Sequence, residues 1–381
     1  MKQSNHQNIT MRKSVFFAIQ AWIIILAVTV GYFTHWIIFR YQSDLNLLHE
    51  ARDILLAHTI LEIPESPILE YGMIRGMLNT LKDPYTFFNE PASTEVQSNE
   101  LTGSFGGIGA RVERDLDANW RLYPLPESPA SKAGILDADI IIRIDDLEVS
   151  NETDEMVIIA HLRGEVGQTV EIDVWRDKVS FSFTIKREAY PIPSVTTNLL
   201  PEAPKIGLVN VDRIAETTAE EIEDGLYDLI QKGAQSIILD LRDNTGGLVE
   251  TGVDIVSLFL SDGEIIHRQF KDQDVEILTV KKPGPFTEIP IVVLVNGSTA
   301  SSAELIAGAI QANDRALLIG SPTYGKTTIQ YVFTLQDGSS IHVTSGQWWI
   351  PGLDFPLSPA LIIEEDPDGT LIFSKAIEIL D

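Results

Sequence analysis

Hydrophobic and polar positions change their rhythm several times along the chain. Residues 15–39, VFFAIQAWIIILAVTVGYFTHWIIF, form an apolar run without one charged side chain. Residues 42–62, QSDLNLLHEARDILLAHTILE, repeat apolar positions at helical spacing through Leu45, Leu48, Ile54, Leu55, Ile60 and Leu61, which predicts an amphipathic helix. A second helical run, ILEYGMIRGMLNTL, stops at KDPYTFF, where Pro84 disfavours helix for Asp83. From 102 to 188 the period falls to two in RLYPL, IIIRID, VEIDVW and FSFTI, predicting a small β-rich domain. The prolines of REAYPIPSV mark a boundary, and from residue 205 strands and helices alternate: KIGLVNV, TTAEEIEDGLYDLIQKG, SIILDLRDN, GLVETGVDIVSLFLS, PIVVLVNG, SSAELIAGAIQAN, ALLIG. Such βαβ order predicts a largely parallel sheet flanked by helices.

The uncharged run is long enough to cross a bilayer core of about 30 Å as a helix. Lys2, Arg12 and Lys13 precede it without an acid, whereas Asp44, Glu50 and Asp53 follow it, so the charge rule puts the amino terminus in the cytoplasm and everything after Arg40 outside. The expectation is an uncleaved anchor, since the run exceeds a signal-peptide core and lacks a clear A-x-A site.

Charge excludes one class of partner. Lys and Arg number 28 against 55 Asp and Glu, a formal charge of -27, which argues against a nucleic acid and for a self-repelling surface. The chain has no cysteine, so disulfide and thiolate chemistry are absent. Its seven histidines show no H-E-x-x-H spacing, which leaves a metal site and a metal cofactor without support.

GSPTYGKTT, residues 320–328, fits the phosphate-binding pattern G-x-x-x-x-G-K-[ST]. That pattern needs a helix after its lysine, because helix-terminal N–H groups complete the cradle. Lys326 is instead followed by Thr327, Thr328, Ile329, Gln330, Tyr331, Val332 and Phe333, a strand-forming run, so nucleotide binding is rejected. In a strand, positions 326, 328 and 330 share a face and put Gln330 beside Lys326. A desolvated, neutral lysine can serve as a general base, and a neighbouring amide orients it without adding charge.

The nucleophile candidates lie in VNGSTASSAELIAGAIQAN. Ser301 and Glu304 satisfy the S-x-x-E capping box at the start of an apolar helix, whose N–H groups can stabilise developing negative charge. Taken alone, a serine at that place is an N-cap, and Ser298, Thr299 and Ser302 compete for the role.

Two resemblances resolve these alternatives. GSFGGIG and SPASKAGILDADIIIRID resemble a PDZ domain, with Phe105, Gly106, Gly107, Ile108 and Gly109 in the place of its carboxylate-binding loop. A Gly-rich turn of that kind forms a nest of N–H groups beside a strand edge that can pair with a peptide. Ala138 stands where that family has glycine. IRGMLNTLKDPYT, DLRDNTGG, NGSTASSAE and GSPTYGKTTIQ, in this order, resemble the carboxy-terminal processing peptidases, serine proteases with a PDZ domain inserted before the catalytic core. The resemblance runs from Ile74 to the carboxy terminus.

It implies Ser301 as nucleophile, Lys326 as general base, Gln330 as the residue orienting the lysine, and an oxyanion hole from Ser302 with Gly246 or Gly247. The implied reaction is peptide hydrolysis through an acyl-enzyme, with no cofactor. The implied partners are polypeptides with accessible carboxy termini; a homo-oligomer and an adaptor protein stay open. Arg163 is a candidate gating contact or an exposed salt bridge. Departures are Thr245 for proline, Ser302 for alanine, Thr327 for glycine, and IPGLDFPLSP, which lacks the usual Pro-x-Gly-Arg.

The expected architecture is multidomain α/β. It comprises a cytoplasmic tail (1–13), a transmembrane anchor (14–40), a helical region (41–100), an inserted β-rich PDZ domain (101–188) and a Ser-Lys peptidase core of ββα/βαβ, crotonase/ClpP-like type (189–381). The expected activity is that of a membrane-anchored, extracytoplasmic endopeptidase. The rival is a non-proteolytic PDZ scaffold whose core only binds peptides.

Overall fold

The computed structural model describes residues 22, 26, 28–32, 45–64, 66–363 and 370–381. The chain forms two compact units, Met1–Met73 and Ile74–Asp381. In the first, the helix Asn46–His58 carries the amphipathic run, and none of its residues is buried. The expected anchor, 14–40, falls largely outside the described residues. Among the described residues no helix is long and apolar enough to cross a membrane. This overturns the single-pass, extracytoplasmic placement: hydropathy is half of the requirement, and a continuous apolar helix of about 20 residues is the other half.

In the second unit, strand β1 (Phe87–Asn89) leads into the helix Pro91–Thr102. A β-rich module follows, made of β2 (Ser104–Gly107), β3 (Ala110–Arg114), β4 (Trp120–Pro124), β5 (Asp139–Ile144), β6 (Leu147–Glu148), β7 (Thr169–Arg176), β8 (Val179–Lys186) and β9 (Glu188–Pro191). Its sheet runs in the order β3-β4-β5-β7-β8, with β6 on β5, and β2 and β9 form a separate ribbon. Along β7, Val170, Ile172 and Val174 are buried while Thr169 and Glu171 are exposed, so the period of two becomes one face on the core with Leu122, Ile144 and Ile158.

The short helix Pro129–Ala133 is capped by Ser128, whose Oγ accepts the Ser131 N–H at 3.1 Å, and it ends at Gly134 with φ +100°. Ala138 has φ +66°, which explains why glycine suits this turn. An alanine there costs about 1–2 kcal/mol. Its N–H donates to the Leu122 carbonyl at 2.9 Å and its carbonyl accepts Arg121 at 2.6 Å, contacts that hold the strained turn in place.

The remaining chain adds β10 (Val195–Leu200), β11 (Ala203–Val211), β12 (Ser236–Asp240), β13 (Glu264–Phe270), β14 (Glu276–Thr279), β15 (Ile291–Val295), β16 (Leu317–Gly320), β17 (Thr328–Thr334), β18 (Ser340–Trp349) and β19 (Leu361–Ile362). One sheet has the order β10-β11-β12-β15-β16-β19, parallel except for β10 at its edge. Its strands alternate between two cores: Ile237, Leu239, Val293 and Val295 face one, and Ile238, Val292, Leu294 and Ile319 the other. Burial on both sides explains the unbroken apolar runs SIIL and IVVLV. The first face packs on the helices Thr218–Gln231, Val249–Phe259 and Ser302–Ala312, and the second on Thr370–Leu380. A second sheet centres on β18, which pairs antiparallel with β1, β13 and β17. The loops leaving the carboxyl ends of β12, β15 and β16 converge, as ligand-handling loops do in open parallel sheets.

Candidate active site

The loop after β12 is fixed by Asn244, fully buried. Its Nδ2 donates to the Val211 carbonyl at 2.8 Å, its Oδ1 accepts the Gly246 N–H at 2.8 Å, and its carbonyl accepts the Ala300 N–H at 2.9 Å. One residue therefore ties the Gly-Gly segment to the serine loop. Gly246 has φ +99°, and a Cβ there would stand 2.8 Å from Ser301 Cβ and 2.8 Å from the Ala300 carbonyl oxygen. At Gly247, φ +152°, a Cβ would lie 2.0 Å from the Ile214 carbonyl oxygen. Both positions demand glycine for close approach. The Gly246 N–H is spent on Asn244, whereas no hydrogen bond of the Gly247 N–H occurs among the described residues.

Ser301 begins the helix Ser302–Ala312 with φ 56° and ψ -124°, an outlying conformation for a residue with a Cβ. Such strain persists only where the surroundings over-determine it, and it concentrates at functional sites. Here the surroundings are Gly246 and Glu304. The Glu304 side chain is fully buried and accepts four hydrogen bonds. Oε2 takes the Ser301 N–H at 2.9 Å and the Lys326 N–H at 2.8 Å; Oε1 takes the Gly325 N–H at 2.7 Å and the Thr323 hydroxyl. The sequence shows Glu304 only as a capping partner. Its role as the clasp between two loops has no local signal, because Thr323, Gly325 and Lys326 lie far along the chain.

Lys326 is half-buried, and burial pushes its amine below the ordinary lysine value, against an opposing pull from Asp83. Its Nζ stands 5.0 Å from the centroid of the Tyr85 ring. Strand β17 starts at Thr328, so no helix terminus backs the lysine and the phosphate cradle is missing. A bulge between Ile329 and Gln330 shifts the register with β18. The Gln330 amide nitrogen donates to Thr328 Oγ1 at 2.8 Å and Thr344 Oγ1 at 3.4 Å, and among the described residues no hydrogen bond joins Gln330 to Lys326 or Lys326 to the Ser301 hydroxyl. Ser302 is fully buried, and among the described residues its Oγ has no hydrogen-bond partner. No cluster of three or more metal-ligating side chains occurs among the described residues.

In the β-rich module, Phe105, Gly107, Ile108 and Gly109 line a cavity of about 360 Å³ between edge strand β3 and the helix Glu155–Leu162. Gly106 lies in β2, where a Cβ would meet the Gly164 carbonyl oxygen at 2.1 Å. At Gly109, φ +67°, a Cβ would collide with the Tyr190 hydroxyl. Arg163 stacks on Phe105 with its guanidinium 4.3 Å from the ring centroid, and among the described residues no carboxylate pairs with it.

Residues 205–357 match the family model of peptidase family S41, and residues 106–186 that of the PDZ domain. A carboxyl-terminal-processing protease of Picosynechococcus sp. is 34% identical over 296 residues, covering 74% of this chain and 69% of the relative. The chain belongs to peptidase family S41. Carboxy-terminal processing protease CtpA of Bacillus subtilis is 35% identical over 280 residues, 73% of this chain, and the chain spans 59% of that relative's length. Among solved structures, the photosystem II D1 C-terminal processing protease aligns with a TM-score of 0.46 at 26% identity, covering 83% of this chain and 86% of that one. The family is one of serine peptidases, and the mixed α/β core with its PDZ domain accords with that membership.

Proposed function

We propose that this S41 member is an endopeptidase that cleaves polypeptides through Ser301 and Lys326. The observation that carries the proposal is the shared oxygen of Glu304, which holds the backbones of a strained serine and a desolvated lysine in one site. In the proposed reaction, neutral Lys326 takes the Ser301 proton while Oγ attacks the scissile carbonyl. The negative oxygen is met by the N–H groups of Gly247 and Ser302. Gly247 is preferred to Gly246 because the Gly246 N–H is already committed to Asn244. Lys326 then returns the proton to the leaving amine, and an acyl-enzyme on Ser301 remains for a water to hydrolyse. Gln330 acts on this scheme through Thr328 and Thr344, which hold its strand beside the lysine.

The Phe105–Gly109 cavity, with its strand edge on β3, suits a peptide end laid along the sheet, and Arg163 at its wall offers a cation to a carboxylate. The proposed substrates are therefore polypeptides with accessible carboxy termini.

The test is cleavage of an unfolded protein such as casein, and of tail peptides, by the full chain and by Ser301→Ala and Lys326→Ala. Loss of cleavage in both variants, with peptide binding retained, supports the mechanism. Equal cleavage in all three sinks it, and binding without cleavage by the unaltered chain favours a scaffold.

A further inference from the structure

The segment Asp83–Asn89 lies outside both matched family regions, yet it closes the lysine side of the site. Its hold on the core is specific. β1 pairs with β18 in the register Phe87↔His342, Phe88↔Ile341 and Asn89↔Ser340, and the Phe87 and His342 rings stack at 4.3 Å. Ahead of the strand, Asp83 Oδ1 accepts the Tyr85 N–H at 3.0 Å, Asp83 Oδ2 accepts the Thr86 hydroxyl at 2.7 Å, and Thr86 Oγ1 accepts the Thr344 N–H at 3.0 Å. These bonds fix Tyr85 from behind, and they use the same Thr344 that receives Gln330.

On its front, Tyr85 shows its ring to the Lys326 Nζ, and Tyr324 beside it pushes the Tyr85 phenol above the ordinary tyrosine value. The Tyr324 N–H in turn donates to the Thr299 carbonyl at 3.0 Å, two residues before Ser301. Tyr85 thus faces the lysine and neighbours Tyr324, whose backbone is tied to the serine loop.

We propose that Tyr85 is a positioning residue for Lys326, its ring holding the ammonium that forms when the lysine takes the serine proton. This rests on the Ser-Lys reading above. An aromatic face attracts a cation without carrying a charge of its own, so it favours the protonated product of the transfer while leaving the site dry. A carboxylate alone in that place would lock the lysine in its charged form. The titratable groups around Lys326 play separate parts. Asp83 supplies a negative charge, and Glu304 is spent on three backbone N–H groups and the Thr323 hydroxyl. His342 on β18 is pushed towards its neutral form by burial and then by Lys326, and Tyr324 partners Tyr85.

Tyr85→Leu and Tyr85→Phe, in the full chain, separate this role from plain packing. Leucine keeps the wall apolar and removes the π face. Losing a contact that favours the ammonium lowers the lysine's affinity for a proton, so the acid limb of the kcat/KM profile moves to lower pH. The plateau kcat falls about tenfold, the lower end of what a desolvated cation–π contact supplies, with KM little changed. Tyr85→Phe restores both rate and limb. The proposal is overturned if Tyr85→Leu matches the unaltered chain in rate and limb, or if phenylalanine fails to rescue while circular dichroism shows both variants folded. Ser301→Ala and Lys326→Ala are run alongside: should they stay active, the Ser-Lys reading falls and the proposal with it, whereas their inactivity beside an unaffected Tyr85→Leu condemns the proposal alone.

Discussion

Ser301 and Lys326 donate their backbone N–H groups to one and the same oxygen, Oε2 of Glu304, at 2.9 and 2.8 Å. The spacing between proposed nucleophile and base is therefore set by a third side chain rather than by a bond between the two. Glu304→Gln keeps the shape but turns one acceptor into a donor, which faces N–H groups it cannot accept. Cleavage is expected to fall at least about a hundredfold, and stability by about 2 kcal/mol for the hydrogen bonds lost to a charged group. Steady-state kinetics and denaturant unfolding check the two figures; full activity in a folded Glu304→Gln protein contradicts the clasp.

The pH dependence follows from Asp83. Burial alone would raise its carboxyl, but hydrogen bonds from Thr344, Thr86 and Tyr85 outweigh it and hold the group below the usual carboxylate range, with Lys326 adding to the pull. Asp83 is thus negative wherever Lys326 titrates, and it favours the lysine's charged form. The proposed reaction requires the neutral form, so kcat/KM is expected to rise with pH through the lysine's titration. Asp83→Asn removes the pull, the lysine loses its proton at lower pH, and the acid limb moves down. A limb that stays put or moves up in this variant is the contrary result.

Parts of this were legible in the sequence for clear reasons. IVVLV reads as a buried parallel strand because both of its faces meet a core, and TIQYVF after Lys326 reads as strand because β-branched and aromatic residues crowd there. The clasp was not legible: Glu304 meets Gly325 and Lys326 only through the return of the chain along β16, and a capping box looks the same with or without it. Asn244 and Tyr85 are likewise tertiary in what matters to the site, since Asn244 reaches the Val211 carbonyl and the Ala300 N–H, and Tyr85 meets Lys326, all far along the chain. The strand period that puts Gln330 beside Lys326 assumes a regular strand from 326 onwards, whereas β17 begins at Thr328 and bulges at Gln330. The apolar run at the amino terminus read as an anchor, yet among the described residues no helix is long and apolar enough to cross a membrane.

Ser302 offers a test of stability without chemistry at its side chain. Its Oγ is buried without a partner among the described residues, with the helix Val249–Phe259 packed beside it at Gly252. An unsatisfied buried hydroxyl costs about 1–3 kcal/mol, while its backbone N–H is unaffected by the side chain. Ser302→Ala should therefore raise the unfolding free energy by about 1 kcal/mol and leave kcat within a few-fold. Chemical denaturation shows this directly, and a destabilised variant would mean that the hydroxyl has a partner in solution.

The two glycines predict different failures. With its N–H bound to Asn244, Gly246 leaves room for Ser301 to approach; the Gly247 N–H, which has no hydrogen bond among the described residues, is the proposed donor. A Cβ at Gly247 must move away from the Ile214 carbonyl and carries the N–H with it, so Gly247→Ala removes the proposed oxyanion donor. Loss of one such donor lowers kcat by about 10²–10³. Because the donor acts on the tetrahedral oxygen and not on the resting carbonyl, the loss belongs in kcat and in affinity for a tetrahedral mimic such as a peptide boronate. KM for the peptide should hardly move. Gly246→Ala pushes on Ser301 Cβ itself, so it should also slow acylation of Ser301 by a phosphonofluoridate, an agent that needs a well-aimed Oγ. If Gly247→Ala weakens peptide and boronate equally, its N–H is not the oxyanion donor, and the assignment between the two glycines reverses.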